Sequence, residues 1–459
     1  MKKHIHFIAI GGSAMHNLAI ALHKKGEVVT GSDDEIFDPS GKRLRMYGLF
    51  PEKTGWFTEN IHPKLDAVIA GMHAKPDNPE LLKARQLGIP VYSFPEFLYE
   101  HAREKTRVVI GGSHGKTTIT SIILHILKKL DMKTDYMVGA QLEGFDVMVK
   151  LSDDAPFMVM EGDEYPSGPT DPRPKFHVYK PHIAVISGIA WDHMNVFPTY
   201  EDYLDQFRTF IDCMEENGKL IYCADEPSVN ALVQQIQRDD VHLYPYYIPE
   251  YLVKDGHTTV LGEEGNFPVG LFGRHNLLNI QAARLVLQQL GVDDEAFGKH
   301  IGSFRGASNR LETIYHSDDV VVIRDFAHAP SKLRATLEAV KAHYTGKTIV
   351  ACMELHTYSS LNRAFLPQYK DTMEEADEAI VFYSPHALEL KRLPLLDKSE
   401  VTRAFNKKGL QVVTDKESLG HILHSRPSHN TCFLFMSSGS FGGFDLAGFI
   451  QKLANPLGD

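Results

Sequence analysis

The sequence predicts an α/β fold of three consecutive domains, each built around a mostly parallel sheet. A chain of 459 residues suggests about three domains at a typical length of roughly 150 residues each. Short apolar runs alternate with segments of helical periodicity along the chain, which is typical of βαβ units. A glycine-rich turn between a strand and a helix indicates a phosphate-binding domain in the middle of the chain.

The first predicted domain is Rossmann-like and spans residues 1–105. Its strands are predicted from apolar runs at residues 6–10, 28–30, 67–70 and 90–92, with a helix over 15–25. The turn at Gly11 follows the first strand and Asp33 follows the second, which is a weak match to a dinucleotide-binding fingerprint. The polar stretch 101–107 marks the predicted boundary.

The second and third domains are predicted from further buried strands. A central P-loop ATPase-like domain is expected over 106–306, with strands at 107–110, 157–160, 183–186 and 219–222. A Rossmann-like C-terminal domain is expected over 307–459, with strands at 320–323, 348–351, 378–382 and 432–436.

Composition excludes several classes of protein. With 48 basic and 59 acidic residues the net charge is -11, and the absence of a basic run argues against nucleic acid as a partner. No apolar run approaches the roughly 18 residues of a membrane span, and no signal pattern precedes the first strand, so we expect a cytoplasmic protein. The four cysteines form no CxxC pair. We expect small-molecule substrates and no obligate protein partner.

The glycine-rich turn predicts an ATP site. Residues 111–118 read Gly-Gly-Ser-His-Gly-Lys-Thr-Thr and lie between a strand and an amphipathic helix predicted over 119–130. In this arrangement backbone N–H groups and the helix dipole hold phosphate oxygens. Lys116 is expected to reach the outer phosphates and Thr117 to bind Mg²⁺. Ile110 replaces the first glycine of the strict P-loop pattern, so only the second half matches.

Three motifs resemble the Mur ligases, the ATP-dependent amide ligases of peptidoglycan and cell-wall synthesis. They are Gly112-Ser-His-Gly-Lys-Thr-Thr118, Gly273-Arg-His-Asn-Leu-Leu-Asn279 and Arg324-Asp-Phe-Ala-His-Ala-Pro330. The resemblance runs in motif order from residue 5 to about residue 453. It implies that the terminal phosphate of ATP, with Mg²⁺, activates a carboxylate as an acyl phosphate, which an amine then displaces.

The resemblance also implies the site residues. Catalytic roles fall on Lys116, Glu161, His193, Arg310, Asp325 and His328. ATP contacts fall on Gly112, Ser113, His114, Gly115, Lys116, Thr117, Thr118, His275, Asn276, Asn279 and Arg310. The UDP-sugar contacts are expected at Gly11, Gly12, Ser13, Ala14, Met15, Ser32 and Asp33. The metal ligands are expected to be Thr117, Glu161 and His193.

Some of these residues also have plainer explanations. An acidic residue at a strand end is often a solvated loop charge, which would suffice for Glu161. Helix capping would account for Asn276 alone, and Arg310 would serve as an ordinary surface charge. His193 is one of 24 histidines, and its pairing with Asp192 is what favours a metal role.

Within the family two acceptors are open. One is the tripeptide L-alanyl-γ-D-glutamyl-meso-diaminopimelate, joined in peptidoglycan recycling to the lactyl carboxylate of UDP-N-acetylmuramate, and the other is L-alanine. Three segments resemble the tripeptide ligase, which is our first expectation: 161–165 together with 171–176, 325–328, and 436–443. Arg173 and Lys175 are then expected to hold acceptor carboxylates distant from the reacting amine.

Two other classes of function remain open on the sequence. An NAD-dependent oxidoreductase would use the turn at Gly11 and Asp33, but it leaves Lys116 without a purpose. A non-catalytic nucleotide sensor is suggested by Gly188, Ala190 and Ala329, which stand where the family usually has asparagine, glutamate and a second histidine. Retention of the expected catalytic residues argues against the sensor.

Overall fold

The computed structural model describes residues 2–454 except 141, 143–144, 146, 169–170, 192–195, 255–256, 263–264, 307–309 and 428. The chain forms two compact units. The first comprises Met1–Ile189, Glu201–Tyr247 and Gln281–Phe297, and the second comprises Ala190–Tyr200, Ile248–Ile280 and Gly298–Asp459. The predicted α/β class with mostly parallel sheets is confirmed. The predicted boundaries near 105 and 306 stay predictions.

The first unit begins with a four-stranded parallel sheet in the order β2-β1-β3-β4. Its strands are β1 (His4–Ile8), β2 (Val28–Ser32), β3 (Ala67–Ala70) and β4 (Val91–Ser93). Its helices are α1 (Ser13–Lys25), α2 (Ser40–Met46), α3 (Pro79–Gln86) and α4 (Phe94–His101). β1 ends two residues earlier than predicted, because Ala9 adopts a φ of 66° and begins the turn into α1.

A seven-stranded sheet forms the rest of the first unit, in the order β13-β12-β11-β5-β8-β6-β7. The strands of this region are β5 (Thr106–Gly111), β6 (Thr134–Met137), β7 (Val149–Lys150), β8 (Phe157–Glu161), β9 (Pro166–Gly168), β10 (Asp171–Pro174), β11 (Ile183–Ile186), β12 (Lys219–Cys223) and β13 (His242–Tyr246). Within the sheet only β6 and β7 pair antiparallel, and β9 and β10 form a separate hairpin. The helices are α5 (Lys116–Lys129), α6 (Lys175–Val178), α7 (Tyr200–Asp212) and α8 (Pro227–Val233).

The second unit contains a small antiparallel sheet that was not predicted from the sequence. Its strands, in the order β14-β15-β16, are β14 (Tyr251–Lys254), β15 (His257–Val260) and β16 (Phe267–Val269). The helices that follow are α9 (Arg274–Gln289) and α10 (Asp294–Ile301). The three strands are short and mix polar with apolar residues, so they lack the continuous apolar runs that revealed the buried parallel strands.

The second unit also contains a six-stranded sheet in the order β17-β18-β22-β19-β20-β21, with only β17 antiparallel. Its strands are β17 (Glu312–His316), β18 (Val320–Asp325), β19 (Thr348–Leu355), β20 (Glu378–Tyr383), β21 (Gln411–Val413) and β22 (Thr431–Met436). Its helices are α11 (Pro330–His343), α12 (Pro385–Leu390), α13 (Lys398–Phe405), α14 (Lys416–His424) and α15 (Leu446–Ala454). Val321 and Val322 belong to different apolar cores because successive strand residues face opposite sides of the sheet.

The predicted boundary segment 101–107 is partly buried: Lys105 and Arg107 are buried, whereas Arg103 and Glu104 are exposed. Asp135 is fully buried and accepts hydrogen bonds from Lys105 Nζ and Ser152 Oγ, each at 2.7 Å. Burial acts to raise the pKa of Asp135, but hydrogen bonds from His101 and Lys105 outweigh it and lower that pKa. Charged residues therefore join α4 to the second sheet here. No helix in the described part of the chain is long and apolar enough to cross a membrane.

Candidate nucleotide and metal site

The phosphate loop is formed by the residues between β5 and α5. Gly112 and Gly115 adopt φ values of 131° and 78°, a region that side chains disfavour. Gly115 is the N-terminal cap of α5 and has no side chain to satisfy the first-turn N–H groups. The first turn of α5 contains Lys116 and no acidic residue. These features suit an anion such as a phosphate group at the start of this helix.

Thr117 and Glu161 meet because β5 and β8 are neighbouring parallel strands. Glu161 is the last residue of β8 and pairs in register with Ile110 of β5. Thr117 Oγ1 donates to Glu161 Oε1 at 2.8 Å, and the Gly139 N–H donates to Oε2 at 2.8 Å. A hydroxyl and a carboxylate side by side form a donor set that fits Mg²⁺.

Two of the three predicted metal ligands are among the described residues. The third expected ligand, His193, lies outside the described residues. Within the described ranges, no group of three histidine, cysteine, aspartate or glutamate side chains is arranged to hold a metal ion. Glu161 and Thr117 are therefore the two predicted ligands whose geometry fits the role.

The ammonium group of Lys116 has a hydrogen-bond acceptor for each of its three protons. Nζ lies 2.6 Å from the Gly112 carbonyl oxygen and 3.1 and 2.9 Å from the two carboxylate oxygens of Glu164. Burial acts to lower the pKa of Lys116, but the Glu164 carboxylate outweighs it and raises that pKa. Lys116 is therefore held as a cation, pointing back over the loop.

Glu164 and Tyr203 are site residues that the sequence analysis missed. Glu164 is 1% exposed, and its Oε1 also accepts a hydrogen bond from the hydroxyl of the fully buried Tyr203 at 3.1 Å. Glu164 lies three residues after Glu161 in the segment 161–165, and the family resemblance assigns it no role. Tyr203 lies on α7, far along the chain, and no local signal would have identified it.

The predicted acceptor cations are each paired with a neighbouring carboxylate. Arg173 is 58% exposed and binds Asp171 in a fork, with Nε 2.9 Å from Oδ1 and Nη2 2.7 Å from Oδ2. Lys175 Nζ lies 2.6 Å from Asp163 Oδ2. Burial acts to raise the pKa of Asp163, but Lys175 outweighs it and lowers that pKa. An anionic ligand would have to compete with these carboxylates.

Gly188 has a structural reason to be glycine. The Ser113 N–H donates to the Gly188 carbonyl oxygen at 2.8 Å, which brings the phosphate loop against the end of β11. A Cβ on Gly188 would lie 2.3 Å from His114 Nε2. The His114 ring, whose Nε2 is 3.4 Å from Glu226 Oε1, thus occupies the space that a side chain at position 188 would need.

The predicted sugar-nucleotide turn is held together by Asp33. The Gly11 N–H donates to Asp33 Oδ2 at 2.7 Å, whereas the buried Oδ1 has no hydrogen-bond partner within the described residues. Burial is the main cause that raises the pKa of Asp33. Ser32, another predicted contact, donates its hydroxyl to the buried Glu80 and is thus used inside the domain. A carboxylate at the end of β2 is the residue type expected for a ribose contact.

Several of the other predicted residues, including Arg310 and Asp325, lie in the second unit. Asp325 ends β18, and its carboxylate accepts the Leu311 and Phe326 N–H groups at 3.0 and 2.9 Å and the Thr336 hydroxyl at 2.5 Å. Asp325 therefore organises the start of this domain, whatever substrate contact it makes. The Arg310 guanidinium lies 4.4 Å from the centre of the Phe326 ring.

Three further predicted residues of the second unit are His328, Asn276 and Asn279. His328 Nδ1 lies 2.8 Å from the Phe326 carbonyl oxygen. Asn276 lies within α9, which begins at Arg274, so the helix-capping explanation for Asn276 is wrong. Its side chain donates to the Phe272 carbonyl oxygen at 3.0 Å and accepts from Asn279 at 3.4 Å.

Comparisons with known proteins match nearly the whole chain. Residues 4–106 match the model of the Mur ligase family catalytic domain, 110–287 the Mur ligase middle domain, and 309–439 the Mur ligase glutamate ligase domain. A relative from Sulfurihydrogenibium sp. (strain YO3AOP1), named UDP-N-acetylmuramate–L-alanine ligase, is 32% identical over 79% of this chain and 78% of its own length.

Solved structures show the same three-domain architecture. The UDP-N-acetylmuramate-alanine ligase of Thermotoga maritima matches with a TM-score of 0.70 at 21% identity over 99% of both chains. The UDP-N-acetylmuramate:L-alanyl-gamma-D-glutamyl-meso-diaminopimelate ligase from Neisseria meningitides matches with a TM-score of 0.59 at 25% identity, covering 67% of this chain and 100% of that chain. The three family-model matches and the full-length Thermotoga maritima structure confirm the predicted order of three α/β domains.

Glu161→Gln is expected to raise the Mg²⁺ concentration needed for ATP turnover by about tenfold or more, because a neutral amide replaces an anionic ligand. A Mg²⁺ titration of ADP release measures the effect. A titration that superimposes on that of the parent protein would assign Glu161 to the solvated-loop explanation.

Glu164→Gln is expected to destabilise the ligand-free protein by about 2 to 4 kcal/mol, because the partly buried Lys116 loses its counter-charge. Phosphate groups of ATP would replace that charge, so MgATP should raise the melting temperature of this variant more than that of the parent. Tyr203→Phe is the matched control, since it removes one hydrogen bond to Glu164 and keeps the ion pair. Equal MgATP-induced shifts in all three proteins would contradict competition for Lys116.

Proposed function

The chain belongs to the Mur ligase family, and from this premise we propose that it joins the lactyl carboxylate of UDP-N-acetylmuramate to the amine of L-alanyl-γ-D-glutamyl-meso-diaminopimelate. Members of the family are ATP-dependent ligases that form ADP, and so is this protein. The observation that carries the proposal is the gathering of Lys116, Thr117 and Glu161 at the carboxyl ends of β5 and β8.

This arrangement suits the activation of a carboxylate. A carboxylate becomes reactive toward an amine when its oxygen accepts the terminal phosphoryl group of ATP, because phosphate is then the leaving group. Lys116 and the N-terminal end of α5 stabilise the negative charge of the phosphate groups. Bound Mg²⁺ would add positive charge beside Glu161 and Thr117.

The tripeptide is proposed as acceptor because of the segment that contains Arg173 and Lys175. The tripeptide carries carboxylates far from its reacting amine, whereas the single carboxylate of L-alanine lies beside its amine. Arg173 is exposed on β10 and presents a planar fork that matches a carboxylate. The three segments that resemble the tripeptide ligase support the same choice.

L-alanine is the second candidate acceptor, and a specific observation favours it. The relative described above at 32% identity is named for L-alanine, and so is a ligase from Lacticaseibacillus casei that is 28% identical over 96% of this chain. Measuring ADP release with UDP-N-acetylmuramate and each acceptor separates the two candidates. A higher kcat/KM for the tripeptide supports the proposal, and a higher value for L-alanine assigns the protein to de novo synthesis.

Lys116→Ala is expected to abolish amide formation while UDP-N-acetylmuramate still binds, because among the described residues the hydrogen bonds of Lys116 Nζ go to the Gly112 carbonyl oxygen and to Glu164. Product formation and calorimetric binding of the nucleotide sugar measure the two properties. Loss of both together would indicate that the variant had failed to fold.

Arg173→Ala is expected to raise the KM for the tripeptide by about tenfold and to leave the KM for ATP unchanged, the effect of losing one charge-assisted contact. Asp171→Asn is the matched variant. It removes the negative charge of Asp171, which competes with the tripeptide for the Arg173 guanidinium. The KM for the tripeptide should therefore fall. A tripeptide KM that stays constant in both variants would remove this hairpin from the acceptor site.

A further inference from the structure

The strand β14 is exposed at the edge of the small sheet in the second unit. Among the described residues it pairs only with β15, which leaves its other edge open. Tyr251, Leu252 and Val253 are 43%, 59% and 53% exposed, so apolar side chains project from both faces of this strand. Open strand edges with apolar side chains are templates for pairing with another strand.

The ladder with β15 determines which backbone groups face the open edge. The Leu261 N–H donates to the Glu250 carbonyl oxygen at 2.8 Å, so this pair of residues is hydrogen-bonded. Because bonded and non-bonded pairs alternate in an antiparallel ladder, Leu252 and Lys254 also bond to β15. The N–H and C=O groups of Tyr251 and Val253 therefore point to the open edge.

We propose that β14 pairs antiparallel with β14 of a second copy of this chain, about a twofold axis at Leu252. In this register Tyr251 of each copy is opposite Val253 of the other. The N–H and C=O groups of these residues, which face the open edge, then form hydrogen bonds between the two copies. Leu252 meets its own counterpart. Glu250 of each copy lies opposite Lys254 of the other, so the pairing places two ion pairs at the ends of the strand.

The charges of the segment select this register and this partner. A shift of two residues in one direction would put Glu250 of one copy opposite Leu252 of the other. The same shift in the opposite direction would put Lys254 of one copy opposite Leu252 of the other. Either shift removes both ion pairs. Because Glu250 and Lys254 lie symmetrically about Leu252, the strand is complementary to itself, as a twofold interface requires.

The association is expected to be weak. Pairing of four-residue strands buries far less than the roughly 1,200 Å² of a stable interface. We therefore expect a reversible dimer with a dissociation constant on the order of 0.1 mM. The inference does not depend on the acceptor or on the ligase activity.

Charge exchange tests the proposal. Glu250→Lys and Lys254→Glu each place like charges opposite one another twice, so each is expected to raise the dissociation constant by about tenfold. The double variant Glu250→Lys/Lys254→Glu restores opposite charges and should restore parent-like dimerisation. Sedimentation equilibrium of the full chain, up to about 1 mM subunits, measures all four proteins.

Circular dichroism spectra and ligase assays of the same samples show whether each variant is folded. Val253→Pro is a second test, because it removes an N–H that faces the open edge and leaves the bonds to β15 in place. It should also abolish dimerisation. A parent protein that stays monomeric, single variants that dimerise like the parent, or a double variant that fails to recover would each overturn the proposal.

Discussion

The partly buried positive charge of Lys116 is the constraint around which the candidate nucleotide site is arranged. An ammonium group with little access to water needs a counter-charge and an acceptor for each proton. Glu164 and the Gly112 carbonyl oxygen supply both. Glu164 is itself buried, and Tyr203 donates to it. The loop thus maintains a charged lysine at the start of α5, and a phosphate group would take over contacts that Glu164 now makes.

Two other cations of the first unit, Lys175 and Arg173, also have carboxylate partners. Lys175 is matched by Asp163 and Arg173 by Asp171, while Glu161 is held by a hydroxyl and a backbone N–H rather than by a cation. Glu161 is therefore the carboxylate of this set that can take a divalent cation without first giving up an ion pair. Binding of ATP and of an acidic acceptor would proceed by exchange of partners, which limits the desolvation that each step requires.

The alternative classes of function can now be judged. Membership of the Mur ligase family excludes the oxidoreductase hypothesis, because the turn at Gly11 belongs to the first of three ligase domains. The sensor hypothesis was based on changed residues, and Gly188 was one of them. Its missing side chain is accounted for by His114, which fills the space beside it. The structure offers no comparable account of Ala190 or Ala329.

The local pattern of the chain was sufficient to predict the glycine-rich loop between β5 and α5 and the strands that end near it. Glycines with positive φ, a lysine at the helix start and buried apolar strands are encoded by neighbouring residues, so Lys116, Thr117 and Glu161 could be predicted. Tyr203 could not, because it meets Glu164 only through the packing of α7 in the folded first unit. The contact of His114 with Gly188 and the open edge of β14 also depend on strand order. Strand order is decided by packing between distant segments, and short-range periodicity carries no record of it.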